Sequence, residues 1–203
     1  DSNPDYPEES RHAVSSLRFR AVQKLFRWGS SHYTITTEGA EHRIESDNTG
    51  DQTERQAAMG LLTTFKPTAN TSISPSIRAD WNSSQIEIVP TGSLALLQLF
   101  NVSVLKSLRV NMGTSYRFPT INELYWTDVW GMSIGNPDLL PEEGRSASAE
   151  LTLEPLSSIL TTELRVYHFL TENLIQWTAD ENWVWSPQNI ARSESFGASL
   201  QLN

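Results

Sequence analysis

Apolar residues recur at every second position along most of this chain, and this period of two restricts its fold more than any other feature. In the segment 71–82, Ile77 and Trp81 fall on one face. Arg78 and Asp80 fall on the other. A β-strand sends successive side chains to opposite faces, whereas a helix needs apolar residues every three or four positions. The pattern therefore predicts strands with one apolar and one polar face, and no helical period of useful length competes with it.

The alternation recurs in nine segments, each near the ten residues that cross a membrane at a tilt. Short turns alternate with longer polar connections, as in the up-and-down meander of a barrel wall. The predicted strands are 11–26, 32–44, 53–66, 71–82, 86–98, 106–116, 145–154, 160–176 and 189–202. The short turns include 28–30, 66–70, 101–106 and 154–157, and the longer connections are 45–52, 117–144 and 177–188.

Alternation alone does not decide what covers the apolar face. A soluble barrel or sandwich would point that face at a dry core, and a membrane barrel would point it at lipid. Trp81, Tyr116 and Trp177 lie near strand ends, where they fit an aromatic girdle at the headgroup level or ordinary strand-end aromatics equally well. Both interpretations stay open at this point.

Composition excludes several classes of site. The chain has no cysteine, so neither a disulfide framework nor a thiolate site is available. Its net charge of -9 argues against nucleic acid as a partner, since such binders carry a basic footprint. The four histidines show no ligand spacing, and no phosphate-binding glycine loop or GxSxG elbow occurs. We therefore expect no metal site, no cofactor and no enzymatic activity.

Two segments around the longest connection carry a motif. Residues 115–126 read SYRFPTINELYW, and residues 135–146 read GNPDLLPEEGRS. Pro119 removes a ladder donor, so the chain must leave the sheet there, and Pro137 supplies the fixed φ of a turn. A structural role, locking the loop onto the rim, is favoured over direct ligand contact. The predicted rim residues are Phe118, Pro119, Gly135, Asn136, Pro137, Asp138, Pro141 and Glu142.

The motif resembles that of TonB-dependent outer-membrane receptors, in which a "fRaPt...ELy" segment ends a strand and "GNPdLkPE" leads into the next. Residues 173–177 and 187–197 are also similar to the family, so the resemblance covers about half of the chain. It implies an all-β fold, an antiparallel up-and-down meander that forms a segment of a transmembrane β-barrel. It also implies a bacterial outer-membrane location in contact with lipid, and TonB-energised uptake of a metal chelate such as a siderophore, cobalamin or haem.

The chain also departs from that family. Nothing in it resembles the N-terminal plug domain on which the TonB complex acts, and it does not finish in the terminal aromatic residue common to outer-membrane barrels. Receptors of this kind close at about 22 strands. We therefore expect residues 1–203 to be a partial barrel of about nine strands, without the plug or the closure of the barrel.

Two predicted loops are rich in aromatic residues. Exposed aromatics on a rigid scaffold often bind ligands, because they add apolar area at little entropic cost. The loops are expected to form part of an outer vestibule that holds the nutrient; packing against each other or the membrane interface is the alternative. The candidate ligand contacts are Tyr125, Trp126, Trp130, Trp183 and Trp185, with Arg117 adjusting the charge.

Two other function classes remain open on the sequence. One is a passive porin or an adhesin scaffold, which a plug sequence upstream would rule out. The other is a soluble all-β carbohydrate-binding module that uses its tryptophan-rich loops, which monomeric solubility without detergent would favour.

Overall fold

In the part of the chain that the structure describes, nine strands form one antiparallel sheet, and each strand pairs with its neighbours along the chain. The computed structural model describes residues 12–28, 31–85, 87–155 and 159–203. The strands are β1 (His12–Trp28), β2 (Ser31–Ser46), β3 (Gln52–Thr68), β4 (Thr71–Asn82), β5 (Glu87–Leu99), β6 (Leu105–Arg117), β7 (Glu142–Leu153), β8 (Thr162–Ala179) and β9 (Trp185–Leu202). A short helix, α1 (Ile121–Tyr125), lies in the connection between β6 and β7.

The nine predicted strands and their meander order are confirmed, but three boundaries are wrong by three or four residues. Strand β7 begins at Glu142 and not at 145. The connection predicted at 177–188 shrinks to 180–184, because β8 and β9 continue to pair as far as Ala179 opposite Trp185. Trp177 and Trp185 therefore lie in strands and not in a loop. Helix α1 was not expected from the period of the sequence. Of the predicted elements, the starts of strands 11–26 and 86–98 and parts of turns 28–30 and 154–157 lie outside the described residues.

The register places the alternating residues on two distinct faces. The outer face carries apolar cross-strand neighbours: Leu61 lies opposite Ile77, and Leu94 lies opposite Met112. The inner face carries polar ones: Arg109 lies opposite Glu150. Further outer-face residues are Leu17, Phe19, Met59, Val110, Ala149, Val166, Leu164, Phe196 and Leu200.

The apolar outer face is uncovered. Its large side chains, among them Leu17, Ile77 and Phe196, are exposed. The one buried apolar cluster of the described residues, Leu124, Leu139 and Ile175, lies at the loop end of the sheet. An apolar sheet face of this extent is unfavourable in water, whereas lipid solvates it and leaves the ladder hydrogen bonds intact.

The inner face is partly covered at its loop end. Residues 118–122, at the start of the β6–β7 connection, line a cleft with His42, Glu54 and Gln56 of the inner face. The connection therefore folds over the polar side of the sheet. Within the described residues, no helix has the length and the apolar character that crossing a membrane requires.

Candidate functional site at the loop end

One arginine joins the two ends of the long β6–β7 connection. Arg117, the last residue of β6, donates from Nε and Nη2 to Glu142 at 2.9 and 2.6 Å. It donates from Nη1 and Nη2 to Glu123 of helix α1 at 2.9 and 3.1 Å. Such bidentate pairs are stronger and more directional than neutral hydrogen bonds. Residues 117 and 142 are thus held together while residues 118–141 project from the sheet.

Glu123 has a second role as part of a helix cap. The Thr120 hydroxyl accepts from the Glu123 backbone N–H at 3.3 Å, and the Glu123 carboxylate accepts from the Thr120 backbone N–H at 2.7 Å. This reciprocal arrangement is a capping box, which starts a helix of only five residues. Burial raises the pKa of the Glu123 carboxyl, but hydrogen bonds from Arg117 and Thr120 outweigh burial, so the pKa lies below its ordinary value.

A β-bulge in β8 extends this lock to a third strand. The register of β8 against β9 shifts between Thr171 and Ile175, and Asn173 adopts a positive φ of 55°. The Ile175 backbone N–H donates to Glu142 Oε1 at 2.9 Å. Bulges redirect backbone groups in this way and concentrate near functional edges of sheets.

Asparagine side chains tie the returning half of the connection to β8 and β9. Asn136 Nδ2 donates to the Pro187 carbonyl at 3.1 Å, and its Oδ1 accepts from the Asp138 N–H at 3.0 Å. Asn189 bonds both the N–H and the carbonyl of Leu140, at 2.8 and 3.0 Å. It also donates to the Asn173 carbonyl at 2.7 Å. The amides thereby satisfy backbone groups that no ladder pairs.

Close packing explains a glycine in the motif. A Cβ added at Gly135 would lie 2.7 Å from backbone atoms of Leu124 and Tyr125. Its N–H donates to the Trp126 carbonyl at 2.6 Å, so the two halves of the connection are in direct backbone contact. Leu124 and Leu139 are buried against Ile175, and Tyr125 packs on this cluster. Among the remaining rim residues, Pro119 and Pro141 are buried and Pro137 is exposed. Phe118 packs edge-on against Tyr116, with 4.8 Å between the ring centroids.

Beyond the rim, the connection forms a hairpin that contacts the start of β9 and the β2–β3 loop. Thr127 pairs with Ile134, and the Ile134 N–H donates to the Trp185 carbonyl at 2.8 Å. The Trp185 N–H in turn donates to the Met132 carbonyl at 2.7 Å. On the other side, Thr127 exchanges hydrogen bonds with Asn48 in the β2–β3 loop at 2.8 and 3.1 Å. The connection therefore bridges from β9 to the top of β2 and β3.

The predicted aromatic contacts separate into two groups. Trp130 and Trp183 are 67% and 72% exposed, and Trp185 is about half exposed. Tyr125 and Trp126 are partly buried within the connection. The backbone under the exposed group is held by Asp128, which accepts from the Met132 N–H at 2.6 Å, and by Asp180, which accepts from two N–H groups of the β8–β9 turn. We call Trp130, Trp183 and Trp185 the aromatic tip.

Arg117 is among the ligand contacts expected from the sequence. In the structure its guanidinium is engaged by two carboxylates, so it holds the rim together; its contact with a ligand stays a prediction.

A charged recess of about 160 Å³ lies below the connection on the inner face. Arg78 donates to Asp80 at 2.8 Å and to Glu38 at 3.0 Å, and Arg20 pairs with Glu38 at 3.1 Å. The Tyr116 hydroxyl interacts with Asp80. These opposite charges on β1, β2 and β4 neutralise one another. The inner face is therefore polar here but does not carry a large electrostatic field of one sign.

Sequence reasoning missed Glu123 and Glu38. The pattern Thr120-x-x-Glu123 is a capping-box signature and could have revealed the first. Nothing local signals the second, because Glu38 and Arg78 are forty positions apart.

Comparison with known proteins adds a decisive observation. A family model described as TonB dependent receptor-like, beta-barrel, matches residues 8–203. The chain belongs to this family. Membership favours a receptor barrel over a porin, an adhesin scaffold or a carbohydrate-binding module, and the family is one of transporters and receptors.

Two similar proteins are both named vitamin B12 transporter BtuB. The protein from Photobacterium profundum is 26% identical over 212 residues, which is 98% of this chain and 33% of the relative. The protein from Vibrio vulnificus is 30% identical over 90 residues, 44% of this chain and 14% of the relative. The chain thus spans about a third or less of the length of these relatives.

Solved structures show the same fold at low identity. The siderophore receptor PirA from Pseudomonas aeruginosa superposes with a TM-score of 0.78 at 13% identity, over 94% of this chain and 37% of that one. The haemophore receptor HasR from Serratia marcescens gives a TM-score of 0.74 at 14% identity, over 96% and 40%.

Proposed function

We propose that this chain is part of the wall of an outer-membrane receptor that captures a scarce nutrient, a metal chelate of the cobalamin, siderophore or haem class, and imports it. Residues 1–203 form a partial barrel in this proposal, and the TonB complex energises uptake through a plug region. Uptake requires no covalent step, so the receptor is not an enzyme.

The arrangement of the loop end supports this function best. The aromatic tip stands on backbone that is bonded to β9 on one side and to the β2–β3 loop on the other. A rigid base lowers the entropic cost of binding, and indole rings offer large apolar area to a ligand. The polar inner face below the tip suits a hydrated passage.

Cobalamin is the first ligand to test, because the relative that matches 98% of this chain is named a vitamin B12 transporter. The intact protein, purified in detergent, would be titrated with cyanocobalamin, a ferric siderophore and haem. Saturable binding of one of the three supports the proposal. Absence of binding by all three contradicts the chelate class.

A paired variant tests the aromatic tip. Trp130→Ala combined with Trp183→Ala is expected to weaken ligand affinity at least about tenfold, since exposed aromatic anchors that become buried on binding commonly contribute about 2 kcal/mol or more. The control is Phe196→Ala, which removes an equally exposed aromatic from the outer face of β9. Unchanged affinity in the tryptophan variant, or an equal loss in the control, contradicts the role of the tip.

A further inference from the structure

Two arginines on the outer face share a single glutamate at the loop end of β2 and β3. Arg43 Nη2 lies 2.7 Å from Glu41 Oε1, and Arg55 Nε lies 3.0 Å from Glu41 Oε2. Both arginine side chains are 65% exposed, whereas that of Glu41 is 30% exposed. The cluster of Arg43, Glu41 and Arg55, which we call the outer triad, therefore carries one positive charge that is not neutralised within it.

The position of the outer triad relative to the apolar surface is defined by the register. Glu41 lies opposite Leu17 on β1 and Arg55 on β3. One row further from the loops, Ala57 lies opposite Trp81. Rows on one face are two residues apart, or about 7 Å along a strand.

The outer-face positions of β2, β3 and β4 beyond that row, away from the loops, carry no charged residue in the described part of the chain. Tryptophan marks the boundary between hydrocarbon and headgroups in membrane barrels. The outer triad therefore stands one row beyond the hydrocarbon boundary, at the depth of lipid headgroups.

The two arginines of the outer triad have N–H groups that Glu41 does not engage. Arg55 bonds Glu41 through Nε, and Arg43 contacts Glu41 through Nε and Nη2, so each guanidinium carries further N–H groups beyond those that Glu41 engages. Guanidinium groups match the oxygens of a phosphate, and they remain charged at any physiological pH. The exposed Glu45 lies on the same face two residues beyond Arg43, further from the apolar surface.

We propose that Arg43 and Arg55 bind a phosphate group on the headgroup of a lipid in the outward-facing leaflet of the membrane. The site rests on the proposed membrane location of the protein. Its chemistry is local, because the chain as a whole has a net charge of -9 and would repel anions.

The test compares two lipids that differ only in phosphate. The intact protein in neutral detergent would be titrated, with native mass spectrometry as the readout, with a diphosphorylated acyl glycolipid and with its dephosphorylated form. Arg43→Gln combined with Arg55→Gln is expected to weaken binding of the phosphorylated lipid about 30-fold. Binding of the dephosphorylated lipid should not change.

The inner face offers a matched control. Arg109 and Arg165 also share one glutamate, Glu150, at 3.3 and 2.6 Å, and are 51% and 55% exposed. Arg109→Gln combined with Arg165→Gln removes the same charge from the opposite face and should leave lipid binding unchanged. A second variant, Glu41→Gln, frees both outer arginines and should tighten binding of the phosphorylated lipid.

Several results would overturn the site. They are an equal loss in the control pair, equal binding of both lipids by the unmodified protein, and unchanged or weaker binding in Glu41→Gln. Displacement of the lipid by millimolar inorganic phosphate would show a site for free phosphate instead. Nutrient binding is measured on the same samples. If the protein discriminates between the two lipids but binds no nutrient, only the proposed function is contradicted. If it binds a nutrient but does not discriminate between the lipids, only the role of the outer triad is contradicted.

Discussion

Replacement of Arg117 by methionine should loosen the long connection while leaving the sheet intact. The variant keeps most of the aliphatic stem but removes four hydrogen bonds to Glu123 and Glu142, whose side chains are only 15% and 13% exposed. Breaking a buried ion pair costs about 3–5 kcal/mol, because a charge is left without its partner. Arg117 is itself partly exposed, so solvent screening reduces the expected cost to about 2 kcal/mol.

A local cost of that size is measurable by hydrogen exchange. About 2 kcal/mol corresponds to a roughly 30-fold increase in the population of the open connection. Exchange should accelerate by that factor at the amide of Ile175, which donates to Glu142, and at the amide of Glu123 in the capping box. Amides in the middle of β4 and β5 should keep their protection.

Arg145→Met is the matched control, since Arg145 makes a longer pair with Glu172 at 3.5 Å and is more exposed. Such pairs contribute about 0–1 kcal/mol, so exchange in the connection should stay within a few-fold of the unmodified protein. A change of less than about threefold in Arg117→Met, or the same change in Arg145→Met, would refute the assignment of Arg117 as the residue that holds the connection.

Two further predictions concern the same connection. Because the folded pKa of Glu123 lies below its ordinary value, the stabilisation from this carboxylate is complete above about pH 4.3 and is lost as the pH falls through the folded pKa. Proteolysis of residues 118–141 should therefore accelerate in acid. A Glu123→Gln variant that retained the full pH dependence would contradict this explanation. Gly135→Ala should destabilise the connection by about 1–3 kcal/mol, because its Cβ meets backbone at 2.7 Å; the same proteolysis assay should leave Gly92→Ala, where the nearest atom is 3.5 Å away, close to the unmodified protein.

Much of the fold was accessible from the sequence because the two faces of a strand produce a period of two. Ile77 and Arg78 alternate so regularly with their neighbours that β4 is predicted at its observed ends, 71 and 82. The alternation of apolar and polar residues stops where β8 and β9 extend beyond the apolar outer face, because two paired strands surrounded by water need no apolar face. The sequence pattern therefore predicts a loop at Trp177 and Trp185, although the ladder continues through both.

The candidate site was accessible only in part. Pro119 and Pro137 locate the exit from the sheet and the turn, because proline constrains its own backbone whatever the tertiary context. The exposure of Trp130 and the partial burial of Trp126 depend on which side of the connection packs on Leu124 and Leu139, and a pattern of aromatic residues does not contain that information.

The sequence by itself determined that this chain forms amphipathic antiparallel strands with a rim motif between β6 and β7, because strand period and proline chemistry act over a few neighbouring residues. Only the tertiary structure decided the partners. Arg117 meets Glu142 across 25 positions and Glu41 meets Arg55 across 14, and these pairings follow from strand register. The bulge in β8 turns the Ile175 N–H toward Glu142. Register and bulges arise from the whole sheet, so the charges that hold the rim and those that lie together on the outer face become visible only once the strands are paired.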